Sequence, residues 1–161
     1  MQKISACLWF DNQAEEAAEF YVSVFDNSRI VEVSRYGEPG PGAEGSVLTV
    51  AFQLEGQDFL ALNGGPVFQF SEAISFVIDC RSQEEVDYFW EKLSEGGETG
   101  QCGWLKDRFG VSWQVVPAAL GEMMSDPDPE KARRVTEAML QMTKLDVPTL
   151  KLAYEGQVSP Q

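Results

Sequence analysis

Apolar residues occupy every second position at the start of the chain. Ile4, Ala6, Leu8 and Phe10 share one side of the segment ISACLWF, which predicts a strand over 4–10. After Asn12 the period lengthens. Ala14, Ala17, Ala18, Tyr21, Val24 and Phe25 recur at helical spacing, and Glu15, Glu16 and Glu19 lie largely opposite. Asn12 followed by Glu15 has the form of a capping box, so the helix is expected to start there. Strand-like runs follow at 29–36, 46–54 and 57–62, with a turn at Gly56 between the last two. The segment GEPGPG at 37–42 reads as a loop.

The order then restarts. Ile74, Phe76 and Ile78 alternate over 73–79, Ser82 and Glu85 form an S-x-x-E capping box, and Val86, Phe89, Trp90 and Leu93 mark a helix closed by Gly96-Gly97. Residues 99–105 suit one or two short strands, 107–110 a tight turn and 111–116 a last strand. The pattern β-α-β-β-β therefore occurs twice. Glu15-Glu16 precede Phe20 by the same spacing as Glu84-Glu85 precede Phe89, a trace of duplication. The predicted layout is α+β: module one at 1–63, a linker at 64–72, module two at 73–117 and C-terminal helices at 118–156, within one domain over 1–161. In that last part Asp128 caps a helix with Pro129 at its first position. The helix aligns Ala132, Val135, Met139 and Met142 as a core or dimer stripe.

Composition narrows the function classes. Net charge is -14, from 12 basic and 26 acidic residues, which disfavours nucleic acid and anionic membranes as partners. The three cysteines, Cys7, Cys80 and Cys102, form no CxxC pair, and neither a signal-like stretch nor a long apolar run is present. A cytoplasmic protein with reduced thiols is expected. Histidine is absent altogether, which removes the commonest general base and transition-metal ligand.

The stretch Leu62-Asn63-Gly64-Gly65-Pro66 follows a strand, as phosphate loops do. Yet Val67-Phe68-Gln69-Phe70 does not start a helix, so no helix N-terminus faces an anion there. It is read as the linker between modules. Glu98, Lys106, Asp107 and Arg108 are read as solvated turn residues near the second hairpin.

Three stretches, LNGGP at 62–66, QCGWLKD at 101–107 and GVSWQ at 110–114, together resemble the PhnB-like family, whose members are described as 3-demethylubiquinone-9 3-methyltransferase domains. That family is similar to the vicinal-oxygen-chelate superfamily of glyoxalase I, bleomycin-resistance proteins and extradiol dioxygenases. The resemblance spans about residues 4–154 and implies paired βαβββ modules forming a cupped mixed sheet, commonly as a homodimer. Metal-using relatives place His, Gln or Glu ligands on the first and last strands of each module. Those positions carry over to Ser5 or Ala6, Ala61, Ala73 or Ser75, and Gln114. Only Gln114 offers a ligand atom, so no metal and no cofactor are expected. A Rossmann-type methyl-donor turn is also missing.

With the cup taken from the resemblance, strand alternation gives its lining. Ser5, Cys7 and Trp9 would face inward from the first strand and Phe59, Ala61 and Asn63 from the fourth, with Leu60 and Leu62 on the helix. Ser75 would face in from the fifth strand, and Ser112 and Gln114 from the last, with Trp113 packing. No Lys or Arg projects from these positions, so the expected ligand is a neutral or weakly cationic aromatic molecule. The first expectation is a metal-free small-molecule-binding protein. The alternatives are a superfamily lyase, isomerase or dioxygenase with relocated metal ligands, and a dimeric scaffold without a ligand; catalytic residues are left unassigned.

Overall fold

Leu8 and Phe10 of strand β1 (Ala6–Phe10) are buried while Cys7 and Trp9 are not, as the period-two pattern requires, in the computed structural model, which describes residues 2–38 and 42–157. Pro39, Gly40 and Pro41 of the expected 37–42 loop lie outside the described residues. Two compact units divide the chain, Met1–Phe70 and Ser71–Gln161. The boundary falls inside the segment read as a linker.

In the first unit, β1 is followed by helix α1 (Ala14–Val24), then β2 (Arg29–Arg35), β3 (Val47–Leu54) and β4 (Gln57–Asn63). The sheet order is β1-β4-β3-β2, with β1 parallel to β4 and the other pairs antiparallel. Ala14, Ala17 and Ala18 are wholly buried, and side chains this small let α1 approach the sheet closely. Tyr21 then stacks on Phe52 and Phe52 on Phe59, with ring centroids 6.3 and 5.4 Å apart. The β3–β4 hairpin turns through Glu55 and Gly56, both at positive φ, the two-residue geometry that matches strand twist.

The start of α1 differs from the expected capping box. Gln13 is the N-cap and makes no side-chain cap bond. The backbone N–H of Ala14 instead donates to the Asn63 side chain at 2.8 Å, so the end of β4 caps the helix in place of Asn12. The amide of Asn63 also donates to the Val47 carbonyl at 3.1 Å. Ile4 is not a packed strand residue either. It precedes β1 and is 84% exposed.

The second unit repeats the plan with β5 (Ser75–Cys80), α2 (Gln83–Ser94), β6 (Glu98–Thr99), β7 (Trp104–Lys106) and β8 (Ser112–Pro117), in the order β5-β8-β7-β6. The parallel pair is again first strand with last. Ser82 caps α2 by accepting from the Glu85 N–H at 3.2 Å, and the Glu85 carboxylate accepts from the Arg81 N–H at 2.8 Å. Ile74, like Ile4, falls just before its strand and is 74% exposed instead of packed.

Helices α3 (Ala118–Met124), α4 (Pro129–Leu140) and α5 (Val147–Tyr154) bury Leu120, Met123, Val135, Leu145 and Leu150 together, with Met139, Met142 and Val116 packed against them. The α4 stripe is therefore core within its own unit. Asp128 and Asp146 cap α4 and α5. Arg134 donates to the Ala153 and Tyr154 carbonyls at 2.9 Å, closing the end of α5. Gln83 ties this bundle to α2: its amide donates to Leu145 O and accepts from Val147 N.

Replacing Asn63 by Ala should remove both the cap and the Val47 bond, costing about 1–2 kcal/mol. For a chain of this size that lowers the melting temperature by about 2–8 °C in a calorimetric scan. Asn63→Asp, which keeps the acceptor at the helix start, should lose less.

Candidate functional site

Residues paired across neighbouring strands share a face. In the first sheet, Cys7 pairs with Leu60, Trp9 with Leu62, and Thr49 and Ala51 of β3 with Leu62 and Leu60. These residues form the face turned away from α1. Phe59 and Ala61, expected in the lining, are instead buried on the helix side, beside Ala6 and Leu8 in register, and Leu60 and Leu62 take the open face. The strand assignment of β4 is thus corrected by one residue, which reverses every side chain. Asn63 pairs with Phe10 and is held by Ala14 and Val47. Ser5 precedes β1 and is exposed.

Trp9 keeps its open-face position, but its ring is already engaged. Its N–H donates to the Gly65 carbonyl at 2.9 Å, and Phe68 meets it edge-to-face at 4.9 Å. A Cβ at Gly64 would overlap the indole. Gly64 therefore leaves room for the indole, and Gly65, at positive φ, supplies the carbonyl that the indole N–H reaches. Cys7 is exposed by area, though desolvation pushes its thiol above the usual range.

The second sheet presents three cross-strand rows on the face away from α2. Ser75, Ser112, Lys106 and Glu98 are in register across β5, β8, β7 and β6. Val77, Gln114 and Trp104 form the next row, and Asp79 and Val116 the third. Trp113 and Val115 lie on the opposite face, as expected, among the buried residues. Gln114 donates to the Ser75 hydroxyl at 2.9 Å. Ser112, paired with Ser75 and two residues before Gln114 on β8, is only 2% exposed, and its hydroxyl has no hydrogen-bond partner among the described residues.

Lys106 corrects two expectations. It is a strand residue, and it brings a cation to the same face as Ser112 and Gln114. Its ammonium pairs with Glu72, and this partner holds the lysine pKa above its usual value. Asp107 is also misplaced by sequence reasoning. It is 2% exposed, and its carboxyl oxygens accept from Phe109 N at 2.9 Å, Val111 N at 3.0 Å and Trp113 Nε1 at 2.8 Å. The signal was present as Asp-x-Phe-Gly-x-x-Trp, with an Asx turn at the second residue on and an indole at the sixth. Asp107 fixes the β7–β8 turn and thereby the register of Lys106 against Ser112. Cys80, on the helix side, has its thiol pushed up to about 12 by desolvation and then by Glu85 and Asp79, so it is no nucleophile.

The family model described as 3-demethylubiquinone-9 3-methyltransferase matches residues 2–116. A PhnB protein from Bacillus cereus, which carries the same description, is 41% identical over 73% of this chain and 100% of that one, with a TM-score of 0.67. A Pseudomonas aeruginosa protein shares the fold at 20% identity, over 73% of this chain and 98% of its own, with a TM-score of 0.62. The fosfomycin resistance protein FosX of Listeria monocytogenes, solved with Mn(II) and sulfate ion, does so at 15% identity, 76% and 95% coverage and a TM-score of 0.52. No curated protein matches the chain. The matched residues stop before α3, so the helical bundle lies outside the family model.

Two substitutions separate scaffold from site. Asp107→Ala leaves three N–H donors without their acceptor and should cost about 3 kcal/mol or more, read as a fall in urea midpoint. Ser112→Ala removes a hydroxyl that makes no bond and should leave the midpoint unchanged or raised.

Proposed function

The chain belongs to the 3-demethylubiquinone-9 3-methyltransferase (PhnB-like) family, and from that premise we propose that it is a metal-free binding protein for a small organic molecule, held on the face of the second sheet turned away from α2. The observation that carries this reading is the Ser112 hydroxyl. A buried polar group without a partner is destabilising unless something supplies the missing bond, and such groups mark sites where a ligand or water completes the structure. Here the group sits beside the Ser75–Gln114 pair, with Trp104 and Val77 offering apolar surface in the next row. A few convergent polar groups against an aromatic wall have the makeup of a ligand site.

The donor set gives no support to the metal used by superfamily relatives. Ala6, Ala61 and Ala73 have no donor atom, Ser5 is exposed ahead of β1, and Ser75 and Gln114 are bonded to one another. One amide oxygen and one hydroxyl do not make a site for a divalent transition ion, which needs several carboxylate or imidazole donors. Among the described residues, no three His, Cys, Asp or Glu side chains gather where they could hold one. The methyltransferase description finds no support in LNGGP either. Its glycines lead into β5 through non-helical chain, and Gly64 makes room for Trp9, so the glycine-rich strand-to-helix turn of a methyl-donor site is missing.

A homodimer in the cytoplasm belongs to the same proposal. Val31 and Val33 are exposed on the edge strand β2, which supports a partner surface there, and no helix among the described residues is long and apolar enough to cross a membrane.

Screening small organic molecules by thermal shift should yield ligands that raise the melting temperature by about 5–10 °C at a hundred times Kd. Gln114→Leu and Ser112→Ala should each reduce that shift, and a library without hits, or hits indifferent to both changes, would sink the reading. Static light scattering should give twice the chain mass at micromolar concentration; a monomer throughout would remove the dimer.

A further inference from the structure

The row containing Ser112 is rich in donors. Ser112 has an unused O–H. Ser75 accepts from Gln114, which leaves its own O–H to give. Lys106 has three N–H groups and one partner, Glu72, among the described residues. Gln114 keeps a second N–H and its carbonyl oxygen. A ligand that satisfies this row must be rich in acceptors. The row and its neighbour, Val77–Gln114–Trp104, contain one cation, Lys106, with Glu98 and Glu72 beside it in a chain of net charge -14. A dianion such as phosphate would lack a second counter-charge, whereas a single negative charge matches Lys106.

We propose, resting on the binding reading above, that the ligand is a small organic monocarboxylate. Its two oxygens occupy the Ser75–Ser112–Lys106 row, where Lys106 leaves Glu72 to meet them, and its apolar body lies over Val77, Gln114 and Trp104. The Glu72–Lys106 pair has the exposure of a surface salt bridge, so exchanging one carboxylate for another is a small change in energy. Successive rows on one face are two residues apart, about 6.6–6.8 Å. The third row begins at Val116, which is packed against the C-terminal helices. A body much longer than one row spacing would run into that end, so the fitting class is an aryl or branched-alkyl acid of about the length of 3-phenylpropanoate.

Isothermal titration of the full chain with 3-phenylpropanoate, 3-phenylpropanamide and 3-phenylpropylamine tests this. The acid should bind about tenfold more tightly than the amide, the ratio expected from one charge-assisted hydrogen bond, and the amine should bind least. Lys106→Met should abolish the preference, because it weakens the acid's binding much more than the amide's; Lys106→Arg should retain it. Glu72→Gln should raise the acid's affinity, because Lys106 is then free, an effect that a merely structural lysine would not produce. Equal binding of acid and amide, a preference that survives Lys106→Met, or an acid that fails to bind where neutral compounds shift the melting temperature would each overturn the carboxylate class while leaving the binding reading in place. Failure of every compound class in the thermal screen would overturn both.

Discussion

The parallel pairing of β1 with β4, in which Leu8 lies beside Ala61 and Trp9 beside Leu62, decides which side of each strand a residue occupies in the first sheet. β5 and β8 do the same in the second, where Ser75 lies beside Ser112 and Val77 beside Gln114. Because the side-chain period of a strand is two, one residue of register is the difference between a core position and an open one. The helices then have no choice of face. α1 covers the side with Phe52, Phe59 and Ala61, and the polar side chains of the second sheet collect opposite the buried Val115. A parallel pair of first and last strands also requires a crossover between them, which is why each module contains a helix and two further strands.

Three polar residues tie these elements to one another. Asn63 at the end of β4 caps α1 and so locks the crossover to the strand it precedes. Asp107 binds three N–H groups across the β7–β8 turn, Trp113 among them. Gln83 at the start of α2 holds the chain on either side of Asp146, tying the C-terminal bundle to that helix. Each bonded to more than one group, such residues fix one arrangement, because any slip breaks several hydrogen bonds at once. Ser112 is the exception. Its hydroxyl is buried and unbonded among the described residues, on the one face where Lys106, Ser75 and Gln114 retain unused donors. The molecule is thus well satisfied where it is scaffold and under-satisfied where a ligand is proposed.

Much of the fold was legible in the chain. Alternation at period two gave the strands, the spacing of Ala17, Tyr21 and Val24 and of Val86 and Leu93 gave the two crossover helices, and Ser82 and Asp128 announced their helix starts by local chemistry. The repeated order of elements anticipated two modules of the same β-α-β-β-β plan, and the structure folds them as two sheets of like strand order. These signals are local: each depends on residues within a few positions of one another. The site was legible only in part. Ser75, Ser112 and Gln114 could be grouped on one face from the sequence because Phe76, Ile78 and Trp113 mark the other. In β4 every residue from Phe59 to Leu62 is apolar, so the pattern does not say which side is buried, and pairing with β1 decided it.

The sequence by itself determined the modules, their duplication, the absence of imidazole chemistry and the acidic balance, since all of these follow from composition and short-range periodicity. Tertiary structure alone decided that Asn63 caps a helix 49 residues earlier, that Asp107 is interior, and that Lys106 stands beside Ser112. The physical reason is common to all three. A hydrogen bond or a cross-strand neighbour is set by distance in space, and a polar residue near a turn looks the same in sequence whether it ends in water or against a buried N–H.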